Sequence, residues 1–288
     1  MSNQQTVSGN EVELSGSTSP VWWLVFKQEL AELWVGGRVL NFLILFSVLM
    51  SITAFLLATN NELSLMPTQQ TVLVMLQSAI TFGLFIGLII AAESISGERE
   101  RATLETLLLT PTSHRQIVFG KFLAALSPWP AALILSIPYI ATLSQGDEVL
   151  GLALLWGALM GSLLAIAFIG FGMLVSIWSN SNRISLFVSL LVYVISLIPA
   201  QLPTEFQATP AGVFVAAADP LEAARQFLLK TLMESRPIGE VWIFFVAPAV
   251  LTALILGLLF LYAAPRLRLE GGRASMIRPI WNRMEAIK

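Results

Sequence analysis

The sequence predicts an all-α integral membrane protein, and three observations predict it. Of its 288 residues, 56% are hydrophobic and 12% charged, about half the charged share of an average soluble domain. Six apolar segments, at 39–58, 72–92, 122–143, 149–178, 184–203 and 241–264, each reach the roughly 20 residues that a helix needs to cross a bilayer. The remaining charge is concentrated: four acids, four Lys or Arg and the sole histidine fall within 93–121, between the second and third segments. The chain has no cysteine, which excludes disulfides, thiolate metal sites and a cysteine nucleophile.

Three regions follow. Residues 1–19 are polar and lack the basic start of a signal peptide, so they predict a disordered cytoplasmic tail. Residues 20–264 form the transmembrane domain. Residues 265–288 carry six Lys or Arg against Glu270 and Glu285, with Ile277, Ile280 and Trp281 interleaved. Such a basic tail suits the anionic lipids of the inner leaflet, while nucleic-acid binding has no motif behind it.

Pro20 opens the first element. Trp22, Phe26, Leu30, Leu33 and Trp34 recur at helical spacing, and Lys27, Gln28, Glu29 and Glu32 take much of the rest. This is an amphipathic helix whose tryptophans suit the membrane interface. The first span starts just after Arg38. The second holds a polar cluster, Gln77, Ser78 and Thr81, followed by Gly83 and Gly87 at a spacing that lets helices approach closely.

Pro128, Pro130 and Pro138 predict kinks in the third span. The fourth would run to roughly 45 Å as a straight helix, so it must tilt, bend or project. It repeats the small-residue spacing at Gly157 and Gly161, with Gly170 and Gly172 further along. The fifth sets Ser185, Ser189, Tyr193 and Ser196 in one polar stripe. Helix packing and cargo contact both account for such clusters. Gln77, Ser78, Thr81, Ser185, Ser189 and Tyr193 are therefore candidates for a substrate pathway or a dimer interface.

Before the sixth span, 201–240 is broken by Pro203, Pro210 and Pro220, yet 212–218 reads GVFVAAA, too apolar for a free loop and too short to cross. Asp219 is placed to cap a helix with Pro220 at its first position and Glu222 three residues after the cap. Leu221, Phe227, Leu228 and Leu232 make that helix apolar, against Arg225, Lys230 and Glu234. Two short pieces dipping into the outer leaflet, a re-entrant hairpin, satisfy the backbone better than a loop at that depth.

Basic residues set the orientation. With both termini inside, 13 of the 16 Lys and Arg lie on the inner side, leaving Arg225, Lys230 and Arg236 outside. The polar segment 93–121 is then cytoplasmic. Within it, Gly97 is predicted to break the descending helix, and Glu98, Arg99, Glu100 and Arg101 alternate in sign to keep the segment in water. Thr103 and Glu105 open a short helix with Leu104, Leu107 and Leu108 on one face. Pro111 stops it, and Ser113 with Gln116 forms a capping-box signature for the next helix, through Ile117 and Phe119. A plain solvated loop is the alternative, but a connector needs neither a leucine stripe nor two sets of stop and start signals.

The string from Ser96 to Pro111, SGERERATLETLLLTP, followed by Ser113, Arg115, Gly120 and Lys121, resembles the ABC-2 family of ABC transporter permeases. That family shows E-x-x-x-G-T-L-E-x-L-L-x-x-P-x-S/T and then a G-K pair between its second and third spans. Ala102 stands where the family usually has Gly. The resemblance implies a cytoplasmic coupling helix that docks on an ATP-binding subunit, through Gly97, Glu98, Arg99, Arg101, Thr103, Leu104, Glu105, Leu108 and Pro111. It further implies two copies of that subunit, a second permease copy as homodimer or paralogue, outward transport, and the inner membrane of a prokaryote. The order of interfacial helix, six spans, coupling element and hairpin is also similar to the family's architecture.

Catalysis has no foothold in these residues. A G-x-x-x-x-G-K-[ST] loop is absent, and a single histidine without H-E-x-x-H excludes a zinc protease. The chain is therefore expected to be non-catalytic and to bind no cofactor, with ATP and Mg on the partner ATPase. None of the six segments contains Asp, Glu, Lys, Arg or His, which argues against coupling to an ion gradient and for a hydrophobic or amphipathic cargo. Three other readings stay open: a non-transporting membrane scaffold or regulator that recruits a cytoplasmic partner, an ion-gradient-driven transporter, and the permease of a copper-enzyme or cofactor assembly system.

Overall fold

The computed structural model describes residues 20–59, 67–101, 113–144, 149–202, 209, 212, 218–234 and 238–266. In chain order its helices are α1 (Val21–Val35), α2 (Arg38–Thr59), α3 (Thr68–Glu93), α4 (Ser96–Glu100), α5 (His114–Leu126) and α6 (Pro128–Ser144). They continue with α7 (Val149–Trp178), α8 (Asn182–Leu197), α9 (Pro220–Leu232), α10 (Ile238–Val241) and α11 (Ile243–Gly257). Six stretches are long and apolar enough to cross a membrane, with α5 and α6 together forming the third. The described residues contain no strand.

Burial sorts the spans. Helices α3 and α7 pack along each other at the centre, the most closely associated pair among the described residues. Large apolar side chains point outward from α2 (Ile44, Phe55), α8 (Phe187, Val194) and α11 (Val250, Leu254). An apolar exterior of this extent belongs in lipid, where helices satisfy their backbone internally. The centre is tight because glycines line it. Trp129 of α6 inserts between α3 and α7: a Cβ on Gly161 would lie 2.5 Å from its ring and one on Gly83 2.7 Å. Its indole N–H donates to Ser162 Oγ at 3.0 Å.

The third span divides at Ser127. Pro128 begins a new helix there, Pro138 lies inside it, and Ser127 Oγ donates to Ala124 O while accepting from Trp34 Nε1. The fourth span runs unbroken over 149–178 as α7, so its excess length projects or tilts. After α11 the helix widens into a π turn at Leu258–Ala263.

Helix α1 lies against α5. Its inward row is Val25, Glu29 and Leu33 rather than the Trp22, Phe26, Leu30 stripe alone. Gly36 and Gly37 turn the chain into α2, with Gly37 at φ 75°, a left-handed conformation that glycine adopts freely. Helix α9 sits across the opposite end of the bundle, packed on α11, α7, α3 and α8. Its N-terminus follows the sequence signals: Asp219 Oδ2 accepts from Glu222 N at 3.0 Å with Pro220 in the first turn. The first arm of the expected hairpin lies almost wholly outside the described residues.

Candidate functional site

The charged segment is organised around α4. Helix α3 stops at Glu93, and the turn falls at Ser94 and Ile95, not at Gly97, which is buried inside α4. The turn is placed by a side chain from another span. Ser176 Oγ of α7 accepts from Ile95 N at 3.1 Å and Ser96 N at 2.9 Å, giving an acceptor to two backbone N–H groups at the point where α3 ends. Glycine is therefore not the breaking element, because Gly97 keeps ordinary helical geometry.

The alternating signs also have a different role from keeping the segment in water. Arg99 spreads its guanidinium over the last carbonyls of α7, donating to Ile177 O at 3.1 Å and to Ser179 O. Glu100 accepts from Asn182 N at 2.8 Å and Ser181 Oγ at 3.0 Å, at the start of α8. A cation thus meets the negative end of one helix dipole and an anion the positive end of the next. Ser96 adds a hydrogen bond to Asn182 Oδ1 at 3.0 Å. Adjacent residues of opposite sign on one short helix grip the turn between the fourth and fifth spans.

Glu98 points the other way. Its Oε1 accepts from Lys121 Nζ at 2.6 Å, and Glu29 Oε1 of α1 accepts from the same nitrogen at 2.5 Å. The Lys121 side chain is 1% exposed. Charged groups at this depth are costly to desolvate and persist only when paired. Burial pushes the Glu29 carboxyl above its usual range, against the pull of Lys121. Beside this cluster Arg38 pairs with Glu93, tying the start of α2 to the end of α3.

The Gly120-Lys121 pair now has a physical reading. A Cβ at Gly120 would lie 2.8 Å from Trp22 O, so glycine lets the α1 backbone rest on α5, and the next residue clamps Glu29. Helix α5 begins at His114, well before residue 122, so Lys121 is part of the helix that continues into the third span. Ser113 takes the N-cap position, but its side chain makes no capping bond; Gln116 N donates to its carbonyl instead.

The structure thus brings Gly97, Glu98, Arg99 and Arg101 together with Lys121, which the sequence pattern already holds in the same segment, and with Glu29 and Ser176, which nothing local marks because they lie tens of residues away. Thr103, Leu104, Glu105, Leu108 and Pro111 fall outside the described residues.

The polar positions of the spans are also located. Ser185 Oγ donates to Ala92 O at 2.7 Å and Tyr193 to Thr81 O at 2.6 Å. With Ser189, these are the buried residues of α8, and Ser185 and Tyr193 tie the stripe to α3 within the same chain. Gln77, Ser78 and Thr81 line a cavity of about 320 Å³ at the α9 end, which Arg225 and the buried Glu222 complete.

A bundle of six apolar spans, with a short charged helix tied to the elements around it, is that of a polytopic membrane protein. Residues 23–264 match the family model described as ABC-2 family transporter protein. The chain belongs to that family and is a multi-pass permease subunit of an ABC transporter. No curated protein matches the sequence.

Proposed function

We propose that this chain is the non-catalytic permease subunit of an ATP-driven exporter, working as a dimer above two copies of a separate ATPase, which binds ATP and Mg. The ATPase docks on the cytoplasmic side under the coupling segment, with Thr103, Leu104, Glu105 and Leu108 as the contact and Pro111 as its rigid end. The cargo is hydrophobic or amphipathic and moves outward across the inner membrane, with both termini cytoplasmic.

The observation that carries this reading is the connectivity of α4. That helix runs directly into the coupling segment, is bonded to α5, α7 and α8 as well as following α3, and reaches α1 through Lys121, which also pairs with Glu29. A push on the segment therefore reaches more than the second and third spans: it reaches the fourth and fifth through Arg99 and Glu100 and the interfacial helix through Lys121. Such a hub gives an ATPase differential contacts with which to bias two permease states, which any ligand-driven change requires.

The test is co-purification and transport with the cognate ATPase in vesicles. Leu104→Asp with Leu108→Asp, which leaves Glu98 and its ion pair intact, is expected to abolish recovery of the ATPase and cargo movement while the permease still elutes monodisperse. Full recovery and transport by that variant overturn the docking assignment.

A further inference from the structure

The cavity at the far end of the bundle has a chemistry of its own. It lies between α3, α8 and α9, with Leu164 of α7 at its floor, and its volume of about 320 Å³ is within the range of small-molecule sites. Phe82, Leu164 and Leu221 give it apolar walls. Two polar features stand out against them. Arg225 holds Glu222 through Nε at 2.7 Å and Nη2 at 2.6 Å, and Gln226 Nε2 adds a bond at 2.8 Å. That charge pair is closed on itself and leaves the cavity without net charge. Gln77 is the opposite case: its amide nitrogen is buried with no acceptor among the described residues.

We propose that this cavity, which Gln77 lines, binds an uncharged amphiphile through an ester, amide or ether oxygen that accepts from Gln77 Nε2 once the terminal amide turns toward the ligand, with its apolar body against Phe82, Leu164 and Leu221. A buried donor without an acceptor is costly, so a ligand oxygen there is gained at little desolvation expense. An ionic head would add an uncompensated charge beside a pair that is already neutral, which low-dielectric surroundings oppose. The chemistry fits a bilayer lipid's ester region and a free exported amphiphile equally. The proposal rests on the permease reading only for the reason a ligand is held there; binding itself requires no ATPase.

The experiment uses the full-length chain without ATPase, labelled by monodecanoylglycerol carrying a diazirine in its acyl chain and mapped by peptide mass spectrometry. In neutral sugar detergent, label is expected on the cavity-lining parts of α3 and α9, and Gln77→Leu should weaken it at least fivefold. That substitution removes a polar group from a membrane helix and is compatible with folding. Ala200→Trp, at the cavity wall, should abolish the label by filling the space. In phosphatidylcholine nanodiscs, loss of the label means that bilayer lipid occupies the cavity, and retained label means that a free amphiphile is preferred; both agree with the proposal. Label spread over the exposed faces of α2, α8 and α11 and indifferent to Gln77→Leu overturns it, as does stronger competition by decanoate than by unlabelled monodecanoylglycerol. Cavity labelling with no ATPase-dependent transport would instead refute the permease reading alone.

Discussion

Replacing Lys121 with Met tests the charged hub most directly. The Lys121 side chain is 1% exposed and its ammonium is held by Glu29 and Glu98 at 2.5 and 2.6 Å, whose side chains are 18% and 23% exposed. Removing one partner of a buried ion pair costs about 3–5 kcal/mol, because the remaining charge is left uncompensated. Partial access of water to both carboxylates places Lys121→Met near the lower end, about 3 kcal/mol, or on the order of a hundredfold in the folding equilibrium.

The triple variant Lys121→Met, Glu29→Gln, Glu98→Gln carries no charge at the site and is expected within about 1 kcal/mol of the natural protein. The penalty also depends on pH. Burial already raises Glu29 above its ordinary value of 4.5, and Lys121 is the group that pulls it back. Without Lys121 the folded carboxyl takes up a proton more readily than the unfolded one. Stability is then fullest below the unfolded value and declines as pH rises through the raised folded value. The single variant should accordingly be weakest near neutrality and recover on acidification. The assay is SDS-induced unfolding in mixed micelles, followed by circular dichroism. A single variant within 1 kcal/mol of the natural protein, or a triple variant no better than the single one, refutes the reasoning.

Three other outcomes are expected. Ser176→Ala orphans the buried Ile95 and Ser96 N–H groups and should cost about 1–3 kcal/mol, with faster amide exchange concentrated at the α3–α4 turn. Gly120→Ala drives a Cβ against Trp22 O and should cost about 1–3 kcal/mol by separating α1 from α5, whereas Gly151→Ala, with open space around it, should gain up to about 1 kcal/mol in the same unfolding assay. Asp219 has its carboxyl pushed up to about 6, chiefly by burial, with the Glu222 N–H bond opposing. Its ionisation therefore costs stability that is present below 3.8 and lost as pH rises through about 6. Asp219→Asn keeps the capping oxygen, should flatten that slope in thermal unfolding, and should gain about 1 kcal/mol near neutral pH after allowance for partial solvent screening.

Much of the architecture is legible in the residues because the bilayer reduces folding to length and hydropathy. The 149–178 segment is helical over its full expected range, Pro128 starts a separate helix, and Asp219 caps α9 as its local pattern requires. These features depend on neighbours within a turn or two. The family, too, is readable from the contiguous string at 96–111 together with the order of the spans.

What the residues by themselves determined is therefore the periodic and local part: a six-span helical membrane protein, its punctuation, and membership of a transporter family. The tertiary structure alone decided which side chains meet. Glu29 reads as one more polar residue on an amphipathic helix, and only the approach of α1 over Gly120 turns it onto Lys121. The run from Glu98 to Glu100 reads as a solvated stretch until the turn between α7 and α8 presents two helix ends to it. Partners separated by many residues leave no spacing to detect, because the free energy that pairs them comes from desolvation and helix packing in three dimensions.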